Sequence, residues 1–178
     1  LVDNGLTDLD GTDRSAASGG SGIISTEQWL NTTANDVDVV YTILPEGANG
    51  CTSYEETVTV TVKPQADLTN GISNTVCSGS NSGITLSIAN GGGDVGAVTY
   101  TVTNIADNGL TDLDGTDRSS ASGGSGLIST EQWLNTTAND VDVVYTIVPE
   151  GANGCTGAAE TVTLTVEPQP DLTNGINN

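Results

Sequence analysis

The sequence contains no histidine, methionine or phenylalanine, only three cysteines, and only three basic residues, Arg14, Lys63 and Arg118, in 178 positions. Without histidine the commonest general base and metal ligand is missing, and no Ser–His or Cys–His nucleophile can be assembled. Set against 23 acids, the three cations leave a net charge of −20. Phosphate recognition needs a basic surface, so nucleic acid is excluded as a partner, and an anionic membrane surface is disfavoured for the same reason. No apolar run reaches the length of a transmembrane helix, and the residues from Leu1 onward lack the basic and apolar regions of a signal peptide.

What is present is a repeat. Residues 1–74 recur as residues 105–178 at an offset of 104, with 12 of the 74 aligned positions different. That period exceeds the roughly 20 to 50 residues of solenoid units, so each repeat is expected to be a domain with its own core. Asp67-Leu-Thr-Asn-Gly-Ile and its copy from Asp171 each follow a proline-bearing stretch, Lys63-Pro-Gln and Glu167-Pro-Gln-Pro, which read as strand stops and joints. The expected frame is a later part of one unit over 1–66, with its first strands upstream of Leu1, a complete unit over 67–170, and the start of another over 171–178.

Strand patterning dominates that unit. Ile84-Thr-Leu-Ser-Ile, Ala97 to Thr103, Val141 to Ile147 and Glu160 to Val166 alternate apolar and polar residues. Ile84, Leu86, Ile88, Val98, Tyr100, Val102, Val141, Val143, Tyr145, Ile147, Val162, Leu164 and Val166 are thereby assigned to inward faces. Thr and Ser take the outward faces, and the fold class expected is all-β, with antiparallel sheets packed as a sandwich in each tandem unit. Asn90-Gly-Gly-Gly and Ser122-Gly-Gly-Ser-Gly read as loops; Glu131-Gln-Trp-Leu-Asn fits either a helical turn or a strand.

Two groups of side chains suggest chemistry. Cys51 and Cys155 are repeat equivalents, which makes Cys77 with Cys155 the natural disulfide and leaves Cys51 for a cysteine upstream of the chain. The Cys77–Cys155 loop of about 78 residues would contribute about 4.5 kcal/mol by chain entropy; buried free thiols are the alternative. Asp112, Asp114 and Asp117, repeated as Asp8, Asp10 and Asp13, crowd a short loop in which Gly115 permits a tight turn. Clustered hard oxygens suit Ca²⁺, although the spacing is shorter than an EF-hand loop and its terminal Glu is missing. The competing reading is a solvated acidic turn whose Asp side chains cap local amides. Carboxylates so crowded do not suit catalysis on opposite sides of a bond, and an enzyme is not expected.

The ordered set Cys77-Ser-Gly, Asn135-Thr-Thr, Val144-Tyr-Thr-Ile-Val-Pro, Asn153-Gly-Cys-Thr-Gly and Thr161 to Pro170 resembles the PKD-like, immunoglobulin-type repeat of very long surface proteins in Bacteroidetes. That resemblance implies an extracellular or cell-surface location, export by the type 9 route, and kinship with adhesins such as those of gliding motility. The acidic stretch Asp107 to Arg118 departs from the family pattern. Two functions follow as alternatives: a structural stalk whose partners are neighbouring repeats of the same polypeptide, or a module that binds glycan or another extracellular surface in every repeat and gains avidity by multiplicity. The consecutive differences Ser53-Tyr54-Glu55 against Gly157-Ala158-Ala159 favour the stalk, because a ligand site required in every repeat would not obviously tolerate them.

Overall fold

The computed structural model describes residues 1–170 apart from Asp13, Ser15 and Asp117; the expected start of a further unit at 171–178 lies outside the described residues. The chain is all-β. In the first unit β1 (Thr7–Asp8) pairs with β2 (Trp29–Leu30), and β3 (Val37–Ile43) pairs antiparallel with β4 (Glu56–Val62). The second unit holds β5 (Ser73–Cys77), β6 (Val98–Ala106), β7 (Thr111–Asp112), β8 (Ser122–Gly123), β9 (Trp133–Leu134), β10 (Val141–Gly151) and β11 (Glu160–Glu167). Five of these form one sheet in the order β5-β11-β10-β6-β8, and β7 with β9 forms a separate ladder.

β10 is the centre of the sheet because its alternation continues longest: Val143, Tyr145 and Ile147 are fully buried, and Tyr145 and Ile147 have partners on both sides, in β11 and β6. All thirteen residues assigned inward lie in or against one apolar cluster, joined by Leu68, Leu110, Ile128 and Trp133. Three local expectations need correction. Ile84 to Ile88 buries Ile84 and Leu86 but is not a strand; its amides go to Ser82 Oγ and to Ser125 O in a facing loop, so it covers the sheet as an extended, irregular layer. The β5–β11 pair is parallel rather than antiparallel. Ser122-Gly123, assigned to a loop, pairs with Tyr100 and Thr101 on the edge of β6. The segment around Trp133 resolves as a strand.

The first unit repeats the hairpin without this cover. Val162 and Leu164 of β11 are fully buried, whereas their equivalents Val58 and Val60 of β4 are 39% and 40% exposed. The difference lies in the surroundings: Leu86, Tyr100 and Val102, which join the cluster around β11, belong to residues 67–104, and the described first unit holds no copy of them. Truncation should therefore cost unequally. Leu86→Ala should destabilise by about 2–4 kcal/mol, and Val60→Ala by well under about 1 kcal/mol, in urea unfolding followed by the Trp signals of each unit.

Candidate functional site

The acidic loop is built on the β7–β9 ladder, where Asp112 lies opposite Trp133. Asp112 Oδ1 accepts the amides of Asp114 at 2.9 Å and Gly115 at 3.3 Å, and Asp114 Oδ1 accepts that of Thr116 at 2.8 Å. The first unit reproduces each bond: Asp8 Oδ1 accepts from Asp10 and Gly11, and Asp10 Oδ1 from Thr12. These carboxylates thus act as turn caps. Asp13 and Asp117 lie outside the described residues. Among the described residues no three Asp, Glu, Cys or His side chains are grouped to hold a metal ion.

Beneath the loop lies an ion pair not anticipated above. Arg118 Nε donates to Glu131 Oε1, while its Nη2 reaches Thr130 Oγ1 at 3.2 Å and Asp114 Oδ2 at 3.4 Å. Arg14 makes the same set with Glu27, Thr26 and Asp10. The signal was in the sequence: two of the three cations occupy equivalent positions, each 13 residues before a Glu. Glu131 is 1% exposed, and burial pushes its carboxyl up to about 7, against the pull of Arg118 and with help from the charge of Asp114. Burial also raises Asp114, but the Thr116 amide and Arg118 outweigh it and hold this carboxyl below its ordinary value. A cleft of about 390 Å³ opens here, lined by Asp112, Arg118, Glu131 and Trp133 among others. The Trp133 indole N–H donates to the buried Tyr145 hydroxyl at 2.7 Å, closing the cleft floor against the core.

With a folded pKa near 7 against an ordinary 4.5, the unfolded chain loses this proton first as pH rises. The contribution of Glu131 to stability is therefore fully present below the ordinary carboxyl range and declines as pH climbs through it toward neutrality. Glu131→Gln should flatten that decline in urea midpoints measured across the window. Arg118→Met should destabilise the unit by up to about 3 kcal/mol at neutral pH, the loss being limited because Glu131 can take up a proton.

The expected disulfide does not form: Cys51, Cys77 and Cys155 are free. Cys77 ends β5 beside Glu167, with Sγ 3.7 Å from Glu167 Oε2, whereas Cys155 lies in the turn between β10 and β11. The two thus flank opposite ends of β11, which at about 3.3 Å per residue separates them by about 20 Å, far beyond disulfide reach. Thiol titration of the unfolded, unreduced monomer should find all three cysteines, and reductant should leave its melting temperature unchanged.

A further set of polar contacts lies where the two units meet. Asn31 is buried, donating Nδ2 to Asn35 O and Val62 O and accepting the Thr33 amide and hydroxyl on Oδ1. It shapes residues 31–36 into a fixed loop. On this loop and the linker after β4, Asn90 of the second unit donates Nδ2 to Gln65 O at 2.8 Å, Thr33 O at 3.0 Å and Thr32 O at 3.2 Å, while its Oδ1 accepts the Asp67 amide at 2.9 Å. Asp94 donates its amide to Ala34 O and accepts that of Asp36, both at 2.9 Å. Asn153 Nδ2 donates to Pro64 O at 2.7 Å, and Ala66 is wholly buried. The loop recurs at the far end of the second unit, where Asn135 donates to Asn139 O and Val166 O. Sequence reading found the prolines of this joint but not its asparagines, since nothing in a lone Asn-Gly distinguishes a keystone from a turn.

A family model described as a PKD-like domain matches residues 9–66 and 111–170. Each matched span contains one Arg–Glu pair, one Asn-Thr-Thr loop and one long hairpin. No curated protein matches the chain.

Proposed function

Because this chain belongs to the PKD-like domain family, we propose that it is a segment of a tandem-repeat stalk in a long exported surface protein, holding a distal region away from the cell. PKD-like domains are usually extracellular and have a non-catalytic fold. No helix among the described residues is long and apolar enough to cross a membrane. In this reading residues 1–66 are the later part of one unit, 67–170 a complete unit and 171–178 the beginning of the next. The partners of each unit are its neighbours in the same polypeptide.

The observation that carries this reading is the joint centred on Asn90. It is made from side chains that lock onto main-chain carbonyls, so it fixes orientation rather than merely tethering. The receiving loop at 31–36 is repeated residue for residue at 135–140. β10 runs between the two contact surfaces, from Val141 beside the 135–140 loop to Gly151 beside the 149–157 turn. A strand of that length spans about 33 Å at about 3.3 Å per residue, so each unit adds its length to the array. The −20 charge adds repulsion that opposes collapse at low ionic strength.

Asn90→Asp turns the donor into an acceptor facing three carbonyl oxygens, and should remove about 2–3 kcal/mol of coupling between the units. In small-angle X-ray scattering the unmutated chain should behave as a stiff pair set end to end, and Asn90→Asp should broaden the distribution of its dimensions. A flexible pair before mutation would overturn the stalk. Retention of the unmutated chain on immobilised glycans, unaffected by Asn90→Asp, would point instead to a binding module.

A further inference from the structure

Three consecutive differences between the repeats, Ser53-Tyr54-Glu55 against Gly157-Ala158-Ala159, fall on the turn that in the second unit receives the preceding linker. The main chain of this turn is the same in both units: the Gly157 amide donates to Pro149 O at 2.8 Å, and the Ser53 amide to Pro45 O at 2.9 Å. The residue of the turn that bonds to the linker, Asn153, also has its match in Asn49. The slot itself does not. A Cβ on Gly157 would lie 1.8 Å from the Ala66 carbonyl oxygen and 2.9 Å from Pro149 Cγ. The first unit accommodates Ser53 beside the equivalent proline, Pro45, so the deciding obstacle is the Ala66 carbonyl, which is main chain and not the free end of a flexible side chain. A turn carrying serine therefore cannot accept a linker in the way that the second unit accepts Lys63 to Ala66.

We propose that this position selects the type of joint: glycine lets the linker carbonyl drop onto the turn and locks two units together, whereas the serine of the first unit imposes a more open joint with the unit upstream. The inference rests on reading the contact between the two units as the joint of an array. It adds that stiffness is written unit by unit, so that hinges occur at defined places along the stalk. Tyr54, 88% exposed, stands on the open turn where the locked one carries Ala158.

The test is Gly157→Ser in the 178-residue chain, with ¹⁵N relaxation reporting the tumbling of each unit and scattering reporting their separation. Serine already occupies the equivalent turn of the first unit, so the fold should survive, which unchanged amide shifts in β10 and β11 would verify. Expected is a common correlation time in the unmutated chain, its loss in Gly157→Ser, and its retention in Ala158→Tyr, which alters the same turn without filling the slot. A common correlation time kept in Gly157→Ser would overturn the proposal alone, as would equal uncoupling by Ala158→Tyr. Separate times already present in the unmutated chain would overturn the joint, and this proposal with it.

Discussion

Asparagine amides bonded to main-chain carbonyls hold together what the apolar core does not reach. Asn31 and Asn135 fix the loops at the end of each hairpin, Asn74 ties β5 to the irregular cover through Ser82 O, and Asn90 and Asn153 clamp one unit on the next. The reason is chemical economy in a chain with neither Phe nor Met. A primary amide offers two donors and an acceptor on a short, stiff stem, so one buried side chain satisfies several carbonyls that a loop would otherwise leave unpaired. Burial of Asn31 and Asn135 in these roles also removes them as glycan acceptors in the folded state, although each begins an Asn-Thr-Thr sequence.

Charge is handled by the same local logic. In a chain of 23 acids, two of the three cations are spent beneath the acidic loops, each holding a buried glutamate and the carboxylate of a capping aspartate. The positive charge that the aspartate cluster invites is thus partly supplied from within. An Arg in this position is planar and multiply donating, which lets one group satisfy Asp, Thr and Glu at once. In the first unit Glu27 Oε2 finds no hydrogen-bond partner, a cost that its copy in the more fully packed second unit does not show among the described residues.

The two copies together separate local from nonlocal causes. Nearly the same hairpin sequence is buried in one unit and half open in the other, because burial belongs to what lies across the sheet and not to the strand. Likewise the turn that receives a linker in the second unit has no room for a Cβ at Gly157, where its copy in the first unit carries Ser53. Near-identity of sequence therefore does not imply identical joints, since one Gly-to-Ser difference falls where a linker carbonyl meets the turn.

The alternation of Val, Ile, Leu and Tyr with Thr, read in the sequence alone, determined the all-β class and the inward faces of β6, β10 and β11, because side-chain direction along an extended chain has a fixed period. Which main-chain groups those segments bond to was not written there. Ile84 and Leu86 point inward as their period requires, yet their segment is a cover rather than a ladder strand, and β5 meets β11 in parallel. The cysteines show the same limit: counting made Cys77 and Cys155 partners, and the course of β11 put its whole length between them. The Arg118–Glu131 pair and the Asn90 joint join residues 13 to 58 positions apart, and only packing brings such groups within bonding distance. Periodicity is a property of neighbours along the chain; pairing, bridging and docking depend on neighbours in space, and those the tertiary structure alone decided.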